Sequence, residues 1–179
     1  MKKCLSISLF ILALSLSAAL ATAGDFYVVP VKPQFKSWDT KIEDTSRFKL
    51  VLDDEAVLDR ETGLVWEKSP LSVSMSWANT VYSCYGNLDG GRSGWRLPTI
   101  EELSSLIDYT QSNPALPSNH PFENIFQDYY WSITSSPYDV SSALVIDLST
   151  GVYTHAPKTN ELIHRWCVRG GYGLDPIAP

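Results

Sequence analysis

Gly94-Trp95-Arg96-Leu97-Pro98-Thr99-Ile100-Glu101-Glu102-Leu103 is the stretch on which the reading of the fold turns. Thr99 with Glu102 three residues later has the form of a capping box, and Pro98 stops a helix from extending backwards. Ile100, Leu103 and Leu106/Ile107 then supply a buried stripe at helical spacing, so a helix is expected from Ile100. Glu101 and Glu102 suit the positive end of its dipole, which accounts for both without any catalytic role.

Working outward, Trp77, Val81 and Cys84/Tyr85 repeat at the spacing of one helical face, with Ser74 or Ser76 as N-cap. This predicts an earlier helix that presents Cys84 inward and ends at Gly86-Asn87, followed by a turn at Asp89-Gly90-Gly91. The Asp89 region lacks the alternating oxygen ligands and terminal Glu of a calcium loop. Before that helix, Phe48–Leu52 is a short apolar run, and Ala56–Asp59, Arg60–Gly63 and Leu64–Glu67 read as strand, turn and strand.

After the second helix, residues 108–128 form a long Pro- and Asn-bearing irregular stretch. Tyr129–Thr134 reads as an aromatic and β-branched strand, and Ala143–Leu148 with Val152–Thr154 as a hairpin around Ser149-Thr150-Gly151. Ile163–Arg169 reads as the last strand. Strands, two helices and strands again, without strand-helix alternation, predict an α+β fold.

The chain has 179 residues and a formal charge of −6, which argues against non-specific nucleic-acid binding. Lys2-Lys3, the apolar run Leu5–Leu20 and the small residues Ala21-Thr22-Ala23 read as a signal peptide cleaved after Ala23, and no other segment reaches spanning length. The expected organisation is therefore signal peptide 1–23, N-terminal extension 24–47 with a short strand at Phe26–Val29, domain 48–171 and tail 172–179, in an exported protein. Cys84 and Cys167 remain after cleavage and are expected to form a disulfide, with about 4 to 5 kcal/mol from closing so long a loop. His120, His155 and His164 do not complete a zinc set with them, and neither a metal nor a cofactor is expected.

The ordered series Val57-Leu58-Asp59, Thr62-Gly63-Leu64-Val65-Trp66-Glu67, Trp77-Ala78, Gly94–Thr99 with Glu102-Leu103, Tyr130-Trp131-Ser132 and Arg165–Gly170 resembles the C-terminal domain of the Legionella collagen-like adhesin. The resemblance covers about Phe48 to Gly171. It implies a C-type-lectin-like fold, with two helices on small antiparallel sheets and a disulfide joining the first helix to the final strand. It also implies extracellular recognition, the named adhesin being associated with sulfated glycans and attachment. The chain departs from that adhesin in lacking a Gly-X-Y stalk. The Glu-Pro-Asn or Gln-Pro-Asp tripeptide of calcium-dependent sugar-binding lectins is also missing. Formylglycine-generating enzymes resemble the same fold, but their closely spaced reactive cysteines have no counterpart here.

No nucleophile elbow is present, and each histidine is read as structural or surface-exposed before it is read as catalytic. Trp66, Trp77, Trp95, Trp131 and Trp166 are assigned to the core, and Arg96 and Arg169 to internal carboxylates. The loops carry the candidate ligand contacts: Asn119, His120 and Asn124 in the Pro-rich stretch, Tyr138 and Asp139 in the next loop, and His155 and Lys158 after Tyr153. The expected function is an exported, non-enzymatic module that binds a glycan or a protein. The alternatives are a small cell-envelope hydrolase, or a structural envelope subunit using Phe26–Val31 as an added strand.

Overall fold

In the first of two antiparallel sheets, β1 (Phe48–Val51), β2 (Ala56–Asp59), β3 (Val65–Glu67) and β7 (Val168–Arg169) lie side by side in that order. The second sheet contains β4 (Tyr129–Ser135), β5 (Ser142–Asp147) and β6 (Tyr153–Pro157). Two helices, α1 (Trp77–Tyr85) and α2 (Ile100–Ser105), complete an α+β architecture. This computed structural model describes residues 47–170. The expected signal peptide, the extension other than Arg47, and the tail lie outside the described residues, as does Gly171.

The β2/β3 hairpin forms as the turn residues predict, Gly63 taking a φ of 76° where the chain reverses, and the apolar run Phe48–Val51 pairs antiparallel with β2 as β1. At α2 the Thr99 hydroxyl accepts the Glu102 N–H at 3.2 Å and the Glu102 carboxylate accepts the Thr99 N–H at 2.9 Å, closing the capping box. The same carboxylate takes two hydrogen bonds from Arg96, at 2.6 and 2.7 Å, so cap and ion pair share one residue. Arg169 lies with its guanidinium 5.7 Å from the centre of the Trp95 ring.

Of the two N-cap candidates, Ser76 takes the position and the first helix starts at Trp77, because Ser74 forms a β-bridge with His164 and the Met75 N–H donates to the Ile163 carbonyl. Two local expectations are corrected. The buried positions of this helix are Thr80 and Cys84, whereas Tyr85, rotated one residue past Cys84, is 81% exposed. The last strand shrinks from Ile163–Arg169 to Val168–Arg169. Residues 163–169 are all buried, and their backbone serves several partners. His164 exchanges hydrogen bonds with Tyr129 and Trp131 of β4, and only beyond Cys167 does the chain enter the first sheet. This cord therefore joins the two sheets.

Alternation along the strands separates two cores. Val57, Trp66, Tyr130, Ile146, Trp166 and Val168 point into one cluster, with Leu103, Leu106 and Phe122. Their sequence neighbours Ala56, Val65, Trp131, Val145 and Cys167 point into the other, with Trp95 and Ile163. Trp166 packs edge-on against Trp66 at 5.4 Å and Phe122 at 4.7 Å. Of the five tryptophans assigned to the core, four are buried and Trp77 is half-buried. Cys84 and Cys167 are disulfide-bonded, joining α1 to the cord.

Arg47 belongs to the folded unit. Its guanidinium donates to both oxygens of the fully buried Asp59 carboxylate, at 3.1 and 2.9 Å, and to the Ser105 carbonyl at 2.6 Å. Removing one partner of a buried pair strands the other charge, so Arg47→Ala is expected to cost about 3 to 5 kcal/mol in urea unfolding. A variant that unfolds at the unaltered midpoint would disprove this role for Arg47.

Candidate binding surface

The sequence-predicted contacts fall into two groups with different supports. In the first, the loop from β4 to β5 turns on Asp139. Its carboxylate accepts the Ser141 hydroxyl at 2.7 Å, the Ser141 N–H at 2.9 Å and the Ser142 hydroxyl at 2.9 Å. The Ser141 hydroxyl is the main reason that Asp139 is held below the usual carboxylate range, with the nearby His155 acting in the same direction. Lys158, in the turn just past β6, fastens this loop. Its ammonium donates to the Ser135 hydroxyl at 2.8 Å and the Val140 carbonyl at 2.9 Å, and it lies 4.4 Å from the centre of the Trp77 ring. The Trp77 N–H donates to the Lys158 carbonyl, and the Lys158 N–H to the Ser141 carbonyl, each at 3.0 Å.

Asp139 and Lys158 are thus engaged in holding the loop, which leaves Tyr138, 90% exposed, to face outward, together with the exposed His155, which lies within β6 paired to β5 and not in a loop as its sequence context suggested. Val140, 81% exposed, joins them, although nothing in its sequence context singled it out.

The second group lies on the Pro-rich stretch. Asn119 is exposed, and His120 is half-buried and stacks on Phe122 at 5.8 Å. Asn124, at a φ of 53°, donates its side-chain amide to the Ser69 hydroxyl at 2.8 Å. The stretch is anchored again by Phe126, which stacks at 4.6 Å on the buried His164.

Two further features escaped the sequence reading. One is a groove of about 340 Å³ between α1 and β4, lined by Val81, Tyr85, Trp95, Leu97 and Ile133, with the Arg96–Glu102 pair in its wall. The other is a buried polar knot beneath the first sheet. Glu67, 1% exposed, accepts the Asn87 amide at 2.8 Å and the Cys167 N–H at 2.7 Å, and pairs with Arg165 at 3.0 Å. Burial pushes the Glu67 carboxyl up to about 7, with the Arg165 guanidinium and the Cys167 N–H opposing it. Spacing alone could not reveal the knot, because its members come from three separate segments. Among the described residues, no group of three or more His, Cys, Asp or Glu side chains is placed to hold a metal ion.

The sequence profile of the Lcl C-terminal domain matches residues 55–169. The chain belongs to this family. No individual curated protein matches it. In this Lcl C-terminal domain the match spans both sheets and both helices apart from β1, and it contains both groups of candidate contacts.

The histidines set a pH dependence. Burial holds His120 and His164 below the ordinary histidine value, with Asp128 partly opposing it at His164. The unfolded chain therefore takes up protons first, and this part of the stability is complete above about pH 6.5 and falls as the pH drops below it. Glu67 runs the other way, its contribution being present below 4.5 and lost as the pH rises through about 7. Urea titrations between pH 7.5 and 5 should show His120→Gln/His164→Gln losing the acid-side fall, so that its stability rises on acidification. A double variant with an unchanged pH profile would refute the assignment.

Proposed function

We propose that this domain is an exported, non-enzymatic recognition module that binds a glycan or a protein through the loop end of its three-stranded sheet. The observation that carries the reading is Tyr138, a tyrosine ring left almost wholly in water on a loop whose geometry is set by Asp139 and Lys158. A ring on a pinned loop loses little conformational freedom on binding, and its face can stack on the C–H surface of a sugar or on an apolar side chain. His155 adds a donor or acceptor beside it. Asn119, His120 and Asn124 form a second contact region on the Pro-rich stretch.

Membership of a family named for an adhesin supports attachment as the setting, and a buried disulfide suits an oxidising compartment outside the cytoplasm. The signal peptide read from Lys2 to Ala23 suits export, and we take the domain to run from 48 to 171, a span that contains the family match at 55–169. Two helices with two small antiparallel sheets also agree with the C-type-lectin-like arrangement that we adopt for the domain.

The test is retention of the purified chain on arrays of glycans and envelope proteins, with and without chelator, while cleavage of each ligand is followed. Selective retention without cleavage, insensitive to chelator, is expected. Tyr138→Ala should weaken it by about tenfold, the equivalent of about 1.4 kcal/mol, and His155→Ala by less, with unaltered unfolding midpoints. Unimpaired binding by both variants would dismiss this surface, and turnover of a retained ligand would dismiss the non-enzymatic reading.

A further inference from the structure

The groove between α1 and β4 is lined mainly by apolar side chains: the buried Trp95 and Leu97, Val81 and Tyr85 of α1, and Ile133 of β4. At about 340 Å³ it falls in the size range of sites that take a ligand. Its helical side carries further apolar surface, since Tyr82, one turn before Tyr85, and Leu88, just past the helix, are also exposed. Contiguous exposed apolar side chains of this kind mark a surface that another group covers.

The chain itself runs to the wall of this groove. Arg96 exchanges backbone hydrogen bonds with Val168, and its Nη2 donates both to Glu102 Oε1 at 2.6 Å and to the Gly170 carbonyl at 3.0 Å. Gly170 takes a φ of 85°, so the backbone turns there instead of continuing the line of β7. Residues 171–179 follow, Gly171-Tyr172-Gly173-Leu174-Asp175-Pro176-Ile177-Ala178-Pro179, with a single charged side chain, that of Asp175. At no more than about 3.6 Å per residue, Tyr172 falls within about 7 Å of Gly170 and Leu174 within about 14 Å. Pro176 disfavours a helical conformation at Asp175, and in an extended segment Tyr172 and Leu174 share one face while Asp175 takes the other. The segment that precedes Arg47 has neither advantage. It joins the domain where Arg47 bonds the Ser105 carbonyl, at the opposite end of α2 from Thr99 and Glu102, and it carries charges from Asp25 to Asp44.

We propose that residues 171–179 are the occupant of this groove, Tyr172 and Leu174 entering between α1 and β4 while Asp175 stays in water. The Arg96–Glu102 pair holds the point of entry through the Gly170 carbonyl. An occupant attached to the domain by two to four residues competes at a high effective concentration against any free ligand. The groove is thereby closed by the chain itself, and recognition is left to the loop end of the three-stranded sheet.

The test is nuclear magnetic resonance of the purified chain labelled at the Ile, Leu and Val methyls. Through-space transfer is expected from the Leu174 methyls to those of Val81 and Ile133. A chain ended at Gly170 should lose it and shift the Val81, Leu97 and Ile133 signals, leaving that of Val152, on the turn between β5 and β6, in place. Tyr172→Ser/Leu174→Ser, which alters no residue of the described domain, should reproduce those shifts. Mixing differently labelled chains separates contacts within one chain from contacts between copies. Groove signals indifferent to loss of residues 171–179, a Leu174 that meets no groove methyl, or transfer found only between copies would each overturn the proposal, the last by making a second chain the occupant.

Discussion

Glu67 sits out of contact with water, and every group within hydrogen-bonding reach of its carboxylate is a donor: the Asn87 amide, the Arg165 guanidinium and the Cys167 N–H. Its backbone carbonyl accepts the Trp166 indole N–H at 2.9 Å, so one residue of β3 fixes three consecutive residues of the cord. The disulfide ties the same cord to α1, and Asn87 ties the end of α1 back to Glu67. Burying a carboxylate is costly unless its donors are already in place. The arrangement therefore demands that β3, α1 and the cord be brought together as a unit. The two sheets depend on that unit, because the cord is what runs from the edge of β4 into β7.

Once the cord is placed, alternation does the rest. Trp166 and Val168 turn to one side and Cys167 to the other, and β2, β3, β4 and β5 follow the same division. Strands buried on both faces have no polar face to offer a ligand. The buried strands are thereby used up by packing, and the surface available for recognition lies on the connections between elements and on the exposed edge strand β6, which carries His155. Gly151 shows how closely one of those connections is fitted: a Cβ there would lie 2.5 Å from the Ile107 side chain.

The loop end of the three-stranded sheet illustrates how a surface is prepared without being buried. Asp139 closes a turn on its own serines, Lys158 crosses from the turn after β6 to hold the loop, and Trp77 carries the lysine. Polar residues that look available for binding are consumed in holding the loop. What remains presented is the less conspicuous pair of Tyr138 and Val140, with His155 alongside. On the Pro-rich stretch Asn124 is likewise spent on Ser69, and the histidines are stacked against Phe122 and Phe126.

Local chemistry was legible in the chain. The Thr99–Glu102 capping box, the hairpin around Gly63, the Ser149-Thr150-Gly151 turn and the cysteine pair each follow from interactions within a few residues or from counting, and each stands as read. The last strand was misread because Ile163–Arg169 is apolar enough for a strand, yet its backbone partners lie in β4, the segment before α1 and β3, remote in sequence. Tyr85 was misplaced inward because periodicity cannot tell which of two adjacent positions meets the core. The sequence by itself determined the element order, the covalent cross-link and the loops in which ligand contacts could lie, since these rest on short-range propensity and composition. Only the tertiary structure decided that Glu67 and Arg165 share a buried knot, that Asp139 and Lys158 are engaged while Tyr138 is presented, and that a groove opens between α1 and β4. Each of these is a meeting of segments whose approach is set by burial and charge pairing across the whole fold, and no local pattern encodes it.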